Sequence, residues 1–319
     1  MLNNRIIKTT IKIGDEEKIF LSEGGRVNGL VTMRQDFIVK AFVNIGNSGL
    51  ITAKIDLFNL ADDTSKQLEE HATLVRLEAG WENKTGVLFE GRSSSVTRTK
   101  PTVSSSDVVT SLYCVSGLEV LQKGIFNETV LSERLPSFLK RLASHFDLTI
   151  SLDPKIQGNI TETAFNGDII SILKDLSTEF KFNFYMVEGK LFIKDPEVIG
   201  GSKEYTPESG LLDIPIVTEK GIDLKVFLDP QISPGDGFSI TSNFAKFQIG
   251  NLEFLDRVRG QQIKTFGRQI NNNRYQGSYQ AQEIIHQGSS HTNSWESLIS
   301  SRGLYNVRNL RNTQRLSIS

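Results

Sequence analysis

Along this chain the spacing of apolar residues changes twice, and nothing else narrows the choice of fold as far. A strand turns successive side chains to opposite faces, whereas a helix repeats about every 3.6 residues. In the first third the period is two. Alternating stretches run Ile7 to Ile13, Lys18 to Ser22, Phe37 to Val43, Ile51 to Phe58, Leu74 to Ala79, Val87 to Glu90 and Val108 to Val115. Thr, Val, Ile and Phe dominate them, with Gly, Asn, Asp and Ser between, which predicts an antiparallel sandwich or barrel with one buried face. One helix is expected inside it, from Asn59 to Glu70, with Asn59 as its cap and Leu60, Thr64 and Leu68 on one face. Such a helix would plug an open end of a barrel.

From about Ile125 to Asp195 the period becomes helical. Leu135, Phe138, Leu139, Leu142 and Phe146 form one apolar stripe, with Ser132 as the expected cap and Pro136 in the first turn. A strand at Leu148 to Leu152, an Asp153-Pro154 turn and a strand near Ile160 to Phe165 follow. A second helix begins after Asp168 and carries Ile169, Ile172, Leu173, Leu176 and Phe180 inward. The strands Phe182 to Val187 and Lys190 to Lys194 then flank Glu188-Gly189 as a tight hairpin. The expected order is strand, helix, strand, strand, helix, hairpin: a small α+β domain.

After a linker read at Pro196 to Pro207, the period returns to two. Strands are expected at Leu211 to Val217, Ile222 to Leu228, Gly237 to Thr241, Phe247 to Phe254, Tyr275 to His286 and Trp295 to Ser300. Ser233-Pro234-Gly235-Asp236 fits a type II turn. The division that follows is 1–122 and 197–302 as two β domains, 123–196 as the inserted α+β domain, and 303–319 as a C-terminal arm.

Composition limits what these domains do. With 38% hydrophobic and 23% charged residues and a net charge of -1 over 319 residues, the chain is an ordinary globular one. Its whole surface is not a glove for nucleic acid or anionic membrane. The single cysteine, Cys114, sits in an apolar run and forms no internal disulfide. No segment approaches the roughly 20 apolar residues that span a bilayer, and the first residues alternate Ile with Lys and Thr, so neither export nor membrane anchoring is expected.

Catalytic signatures are missing from the sequence as well. His286 and His291 lie near Glu283 without compact zinc spacing. Asp62/Asp63 and Glu69/Glu70 are adjacent on a helix and point in different directions. No nucleophile elbow, phosphate loop or dinucleotide fingerprint occurs. The reading is a protein with no enzyme activity, no cofactor and no metal. Trp81 and Trp295, at strand ends, are read as core residues, with interface anchoring as the second use.

The strongest local anomaly is electrostatic. Arg257, Arg259, Lys264, Arg268 and Arg274 lie in a stretch without acids from 257 to 282, and Arg302, Arg308, Arg311 and Arg315 repeat this at the C-terminal end. These nine are the candidate binding residues, for docking on acidic protein surfaces. Transient contact with DNA is the other use of such charge, and would show as salt dependence.

Three stretches together resemble the central baseplate hub family of contractile-tailed bacteriophages. They are Ile55 to Leu60 with Val75 to Gly80 and Gly86 to Gly91; Gly210 to Pro215 with Leu228 to Pro230 and Ser233 to Asp236; and Gly277 to Tyr279 with His286 to Ser289 and Asn293 to Trp295. The middle domain independently resembles the small amino-terminal domain of secretins. The resemblance implies a mainly β chain: two tail-tube-like antiparallel β-barrels with an inserted secretin-like α+β domain. It also implies a homotrimeric symmetry adapter joining a hexameric tail tube protein to a trimeric spike protein. Baseplate wedge and tape-measure proteins would be further neighbours, with DNA passing through the channel. The expected place is the virion tail, after synthesis in the host cytoplasm. The alternatives are a ring component of a secretion or injection apparatus, and a carbohydrate hydrolase on a β scaffold.

Overall fold

The computed structural model describes residues 5–23, 33–43, 49–70, 73–82, 84–118, 120, 123–187, 189–196, 203–218, 221–242, 244–249, 252–257, 263–265, 268–270 and 277–303; for 244–278 and 302–303 it describes the backbone. The chain divides into two compact units: residues 1–195 with 286–295, and residues 196–285 with 296–319. The architecture is mainly β.

The first unit opens with β1 (Arg5–Ile13), β2 (Glu16–Glu23), β3 (Gln35–Phe42) and β4 (Thr52–Phe58). Then come α1 (Asp62–Glu70), β5 (Leu74–Trp81), β6 (Lys84–Thr99) and β7 (Val109–Val115). The strands join in the order β2-β1-β5-β6-β7-β4-β3, every neighbour antiparallel. Alternation sends Ile7, Ile11, Val39, Ile55, Leu57, Val75, Leu77 and Leu112 to one buried face. Register shifts at Leu77/Glu78 and at Ser93/Ser95 bend the long β6, as bulges do.

The barrels expected from the sequence do not close. Among the described residues this sheet is an open path, and closure would require its two ends to exchange a backbone ladder. Side chains bridge the seam instead. Gln35 Nε2, on β3, donates to Phe20 O at 3.0 Å and Ser22 Oγ at 2.8 Å on β2, and its Oε1 accepts from Thr9 Oγ1 at 2.7 Å on β1. Ser22 Oγ in turn donates to Met33 O. The sheet is therefore curled without being a closed barrel.

Helix α1 reaches from β6–β7 to β2 across one end of the curl. Ser65 Oγ lies 3.2 Å from Thr110 Oγ1, Asp62 pairs with Arg98, and Gln67 accepts from Lys18 Nζ at 2.5 Å. Asn59 does not cap it. Its φ is +57°, in the left-handed region, and its side chain holds the loop before β7, accepting from Val108 N at 2.9 Å and donating to Asp107 at 3.0 Å. Asp62 and Asp63 supply the negative charge that a helix start favours.

The α+β part of the first unit follows the expected order: β8 (Phe126–Arg134), α2 (Leu135–His145), β9 (Thr149–Leu152), β10 (Asn159–Gly167), α3 (Ile169–Phe180), β11 (Asn183–Val187) and β12 (Lys190–Lys194). β8 pairs with β10 in a two-stranded ribbon, while β11, β12 and β9 form a second sheet. Both helices pack on these sheets around Phe138, Leu139, Leu142, Phe146, Leu173 and Leu176. Ser132 is a strand residue opposite Thr161, not a cap. Phe126 and Val130 keep the strand alternation going to Arg134, and Pro136 then supplies the helical φ.

The second unit contains β13 (Lys203–Tyr205), β14 (Ile216–Val217), β15 (Ile222–Phe227), β16 (Gly237–Ile240), β17 (Phe244–Ile249), β18 (Leu252–Arg257), β19 (Ile263–Thr265) and β20 (Arg268–Ile270). Most of β21 (Gly277–Ser289) and β22 (Trp295–Gly303) belong to it as well. Its core is Tyr205, Leu224, Val226, Phe238, Tyr279, Ile284 and Ile299 with their neighbours. Three features of this unit differ from the expectation. The linker contains β13, because Tyr205 is buried and its hydroxyl donates to Asp229 Oδ2 at 2.8 Å. Of Leu211 to Val217 only Ile216 and Val217 are strand, since Pro215 has no N–H to give a ladder. Phe247 to Phe254 is two antiparallel strands, with Ile249 directly opposite Leu252. The 233–236 turn has Gly235 at φ +82° and Asp236 N on Ser233 O at 3.0 Å, as type II requires.

Candidate assembly surfaces

Among the described residues, His286, His291 and Cys114 sit in structural surroundings. Among the described residues no three His, Cys, Asp or Glu side chains gather as metal ligands. His286 is buried. His291 Nδ1 lies 3.2 Å from Ser289 Oγ and 3.3 Å from Asp36 Oδ1. A hydrolytic relay places hydroxyl and acid on opposite ring nitrogens; here both meet the same one. The Cys114 thiol, buried in β7, is pushed up to about 12 by desolvation and stays protonated.

The outward face of the first sheet is a lattice of charge. Lys8 Nζ is 3.1 Å from Glu78, Arg76 is 3.3 Å from the same carboxylate, and Lys54 Nζ is 2.9 Å from Asp56. Ser111 Oγ donates to Asp56 at 2.5 Å, and the Lys54 ammonium stands 5.9 Å from the Tyr113 ring. Set into this lattice are exposed apolar side chains: Ile19, Leu21, Ile38 and Val87. Exposed ion pairs contribute little stability, at most about 1 kcal/mol each. They do orient a partner and reject mismatched charge.

A second surface is the outer face of the β8–β10 ribbon. Ile125, Asn127, Thr129 and Leu131 alternate outward, with Leu131 75% exposed and Ile125 66% exposed. The residue at the Leu131 register position on β10 is Glu162, held at φ +47°. Behind the ribbon, Arg141 on α2 pairs with Glu128 and with Glu133, the latter at 2.7 Å, and these hydrogen bonds hold its guanidinium firmly ionised. Phe227 and Leu212 are exposed on the second unit. Apolar residues within a polar, charged surround are the composition of a protein–protein contact.

Of the nine basic residues singled out in the sequence, Arg257 ends β18, Lys264 lies in β19, Arg268 opens β20 and Arg302 lies near the end of β22. Arg259, Arg274, Arg308, Arg311 and Arg315 lie outside the described residues. The outward apolar residues escaped the sequence reading. Their signal was present in β2, where Ile19 and Leu21 are in phase with each other and out of phase with buried Ser22.

No curated protein sequence matches the chain significantly. Among solved structures, the chain resembles a tail protein from Neisseria meningitidis MC58, with TM-score 0.55 and 7% identity over 93% of this chain and 96% of that one. It also resembles the 43 kDa tail protein of prophage MuSo2 from Shewanella oneidensis, with TM-score 0.53 and 9% identity over 93% and 97%. At such low identity these likenesses establish a shared fold. The sequence itself matches the family model for baseplate hub gp41 over residues 50–251, well over half of the chain. The chain belongs to the baseplate hub gp41 family, and its role is that of a structural component of the phage tail baseplate.

Proposed function

We propose that this hub is a homotrimeric symmetry adapter, joining the hexameric tail tube protein to the trimeric spike protein and lining the DNA channel. The observation that supports the reading is that the chain divides into two compact units, each carrying its own run of β-strands with buried apolar residues. Three such chains offer six β units to a sixfold ring while keeping a threefold body for the spike. In this reading residues 1–122 and 197–302 are the two tube-like modules, the first a curled sheet in place of a closed barrel. Residues 123–196 are the inserted module, whose strand and helix order supports the likeness to the secretin amino-terminal domain. Residues 303–319 are the arm.

Arg257, Arg259, Lys264, Arg268 and Arg274, with Arg302, Arg308, Arg311 and Arg315, dock on acidic surfaces of tube, spike or neighbouring subunits. Wedge and tape-measure proteins are further neighbours. The protein acts in the virion after synthesis in the host cytoplasm, by shape and charge matching.

Native mass measurement of the purified full chain tests the adapter. The expected masses are 35.6 kDa for a monomer or three times that for the trimer. A stable closed hexamer would assign the chain to the tube instead.

A further inference from the structure

Residues 286–295 belong to the first unit, although residues on both sides belong to the second. They form the tip of the β21–β22 hairpin, and β21 is the neighbour of β3 on the side away from β4. The tip is held in two ways. Trp295, 2% exposed, meets the rings of Phe37 and Trp81 edge-on, each at 6.0 Å, and the Arg5 guanidinium lies 5.2 Å from its ring centre. Backbone groups add to this: Ser290 N donates to Gln35 O at 2.9 Å, Gln35 N to Ser290 Oγ at 2.9 Å, and Arg5 Nη1 to Thr292 O at 2.7 Å. Gly288 makes the close approach feasible, because a Cβ there would stand 2.6 Å from the Phe37 ring and 2.9 Å from Trp295.

This seam differs from the rest of the unit in its polar groups. The Trp295 indole N–H and the Nε–H of Arg5 and of Arg34 are buried without an acceptor among the described residues. Arg34 stands 4.5 Å from the Phe58 ring, which meets His291 of the tip at 5.3 Å. Buried donors left unpaired cost stability. By contrast, the Gln35 amide that bridges β3 to β1 and β2 is fully engaged. Opening the tip would let water reach the Trp295 and Arg5 donors that face each other there, while the β4–β7 ladder lies on the other side of β3 and need not open with it.

We propose that the 286–295 tip is a releasable strap over the β3 edge of the first unit, with an opening equilibrium of its own. Its release bares the Phe37 and Trp81 rings and one edge of β3, and its closure hides them. The strap is thus a conformational device that sets when that edge is available.

Hydrogen exchange on the full-length protein decides the matter. The amide of Ser290, bonded across the strap to Gln35 O, is expected to exchange at least about tenfold faster than those of the β4–β7 ladder. Asp36→Cys with His291→Cys, joined by a short bis-maleimide, should remove that difference. Gly288→Val should raise Ser290 exchange further while β4–β7 stays protected. Equal protection of the strap and β4–β7 in the native chain would overturn the proposal. So would loss of β4–β7 protection together with the strap in Gly288→Val, since the tip would then be inseparable from the core.

Discussion

Gln35 occupies an inward position of β3, in phase with Phe37, Val39 and Ala41, where alternation calls for an apolar side chain. Its amide is fully buried and gathers Thr9, Phe20 and Ser22 around it. Gln35→Leu would fill the space but strand those partners. We expect a loss of roughly 2–4 kcal/mol in urea unfolding; a change under about 0.5 kcal/mol, the size of an ordinary surface substitution, would mean the bridge does not hold the seam. In the second unit, Asp229 is buried beside Lys203 at 2.5 Å and accepts from Tyr205 at 2.8 Å. Burial alone would raise its carboxyl, but the Lys203 ammonium and the Tyr205 hydroxyl outweigh this and hold it below the usual carboxylate range. A lowered native value contributes stability above the unfolded pKa of about 3.9, and this is lost as pH falls through the native value. Asp229→Asn should therefore destabilise the protein by about 2–4 kcal/mol at pH 7, with the gap to wild type closing below about pH 4. Thermal melts across pH 2–7 measure both.

The elements of the α+β part were the most legible in the sequence, because their determinants are local. Asp168 caps α3 by accepting from Ile170 N at 2.9 Å and Ser171 N at 3.0 Å, as its place before the apolar stripe implied. At the other end Lys181 takes a left-handed φ of +58° that glycine adopts without penalty. Asp168→Ala should cost about 1 kcal/mol and Lys181→Gly should add about 0.5–1 kcal/mol, readable as opposite shifts of the melting midpoint. The failures share a cause. Asn59 and Ser132 have the residue type of a cap but are used elsewhere, by Asp107 and Val108 and by the β10 partner strand. β13 was hidden because its parallel partner β16 lies more than 30 residues on, beyond any local pattern. The exposure of Ile19, Leu21 and Leu131 became plain only once the buried faces were known, because alternation alone does not say which face of a strand is inward.

For the whole molecule, the sequence conveyed the mainly β architecture and the hub likeness, but neither the open seam nor the shared hairpin. Both depend on contacts between residues far apart in the chain. The bond between Gln35 and Ser290 spans 255 residues. A ribosome adding roughly 5–20 residues per second needs on the order of 10–50 s to cover that distance. Throughout that interval a nascent chain has β3 made but not the segment that pairs with its outer side. A host that aborts translation early releases a fragment with an unguarded strand margin, a known invitation to aggregate. Only a ribosome that has already made residues 286–295 delivers a first unit able to finish itself, so the late hairpin sets the moment at which that margin is covered.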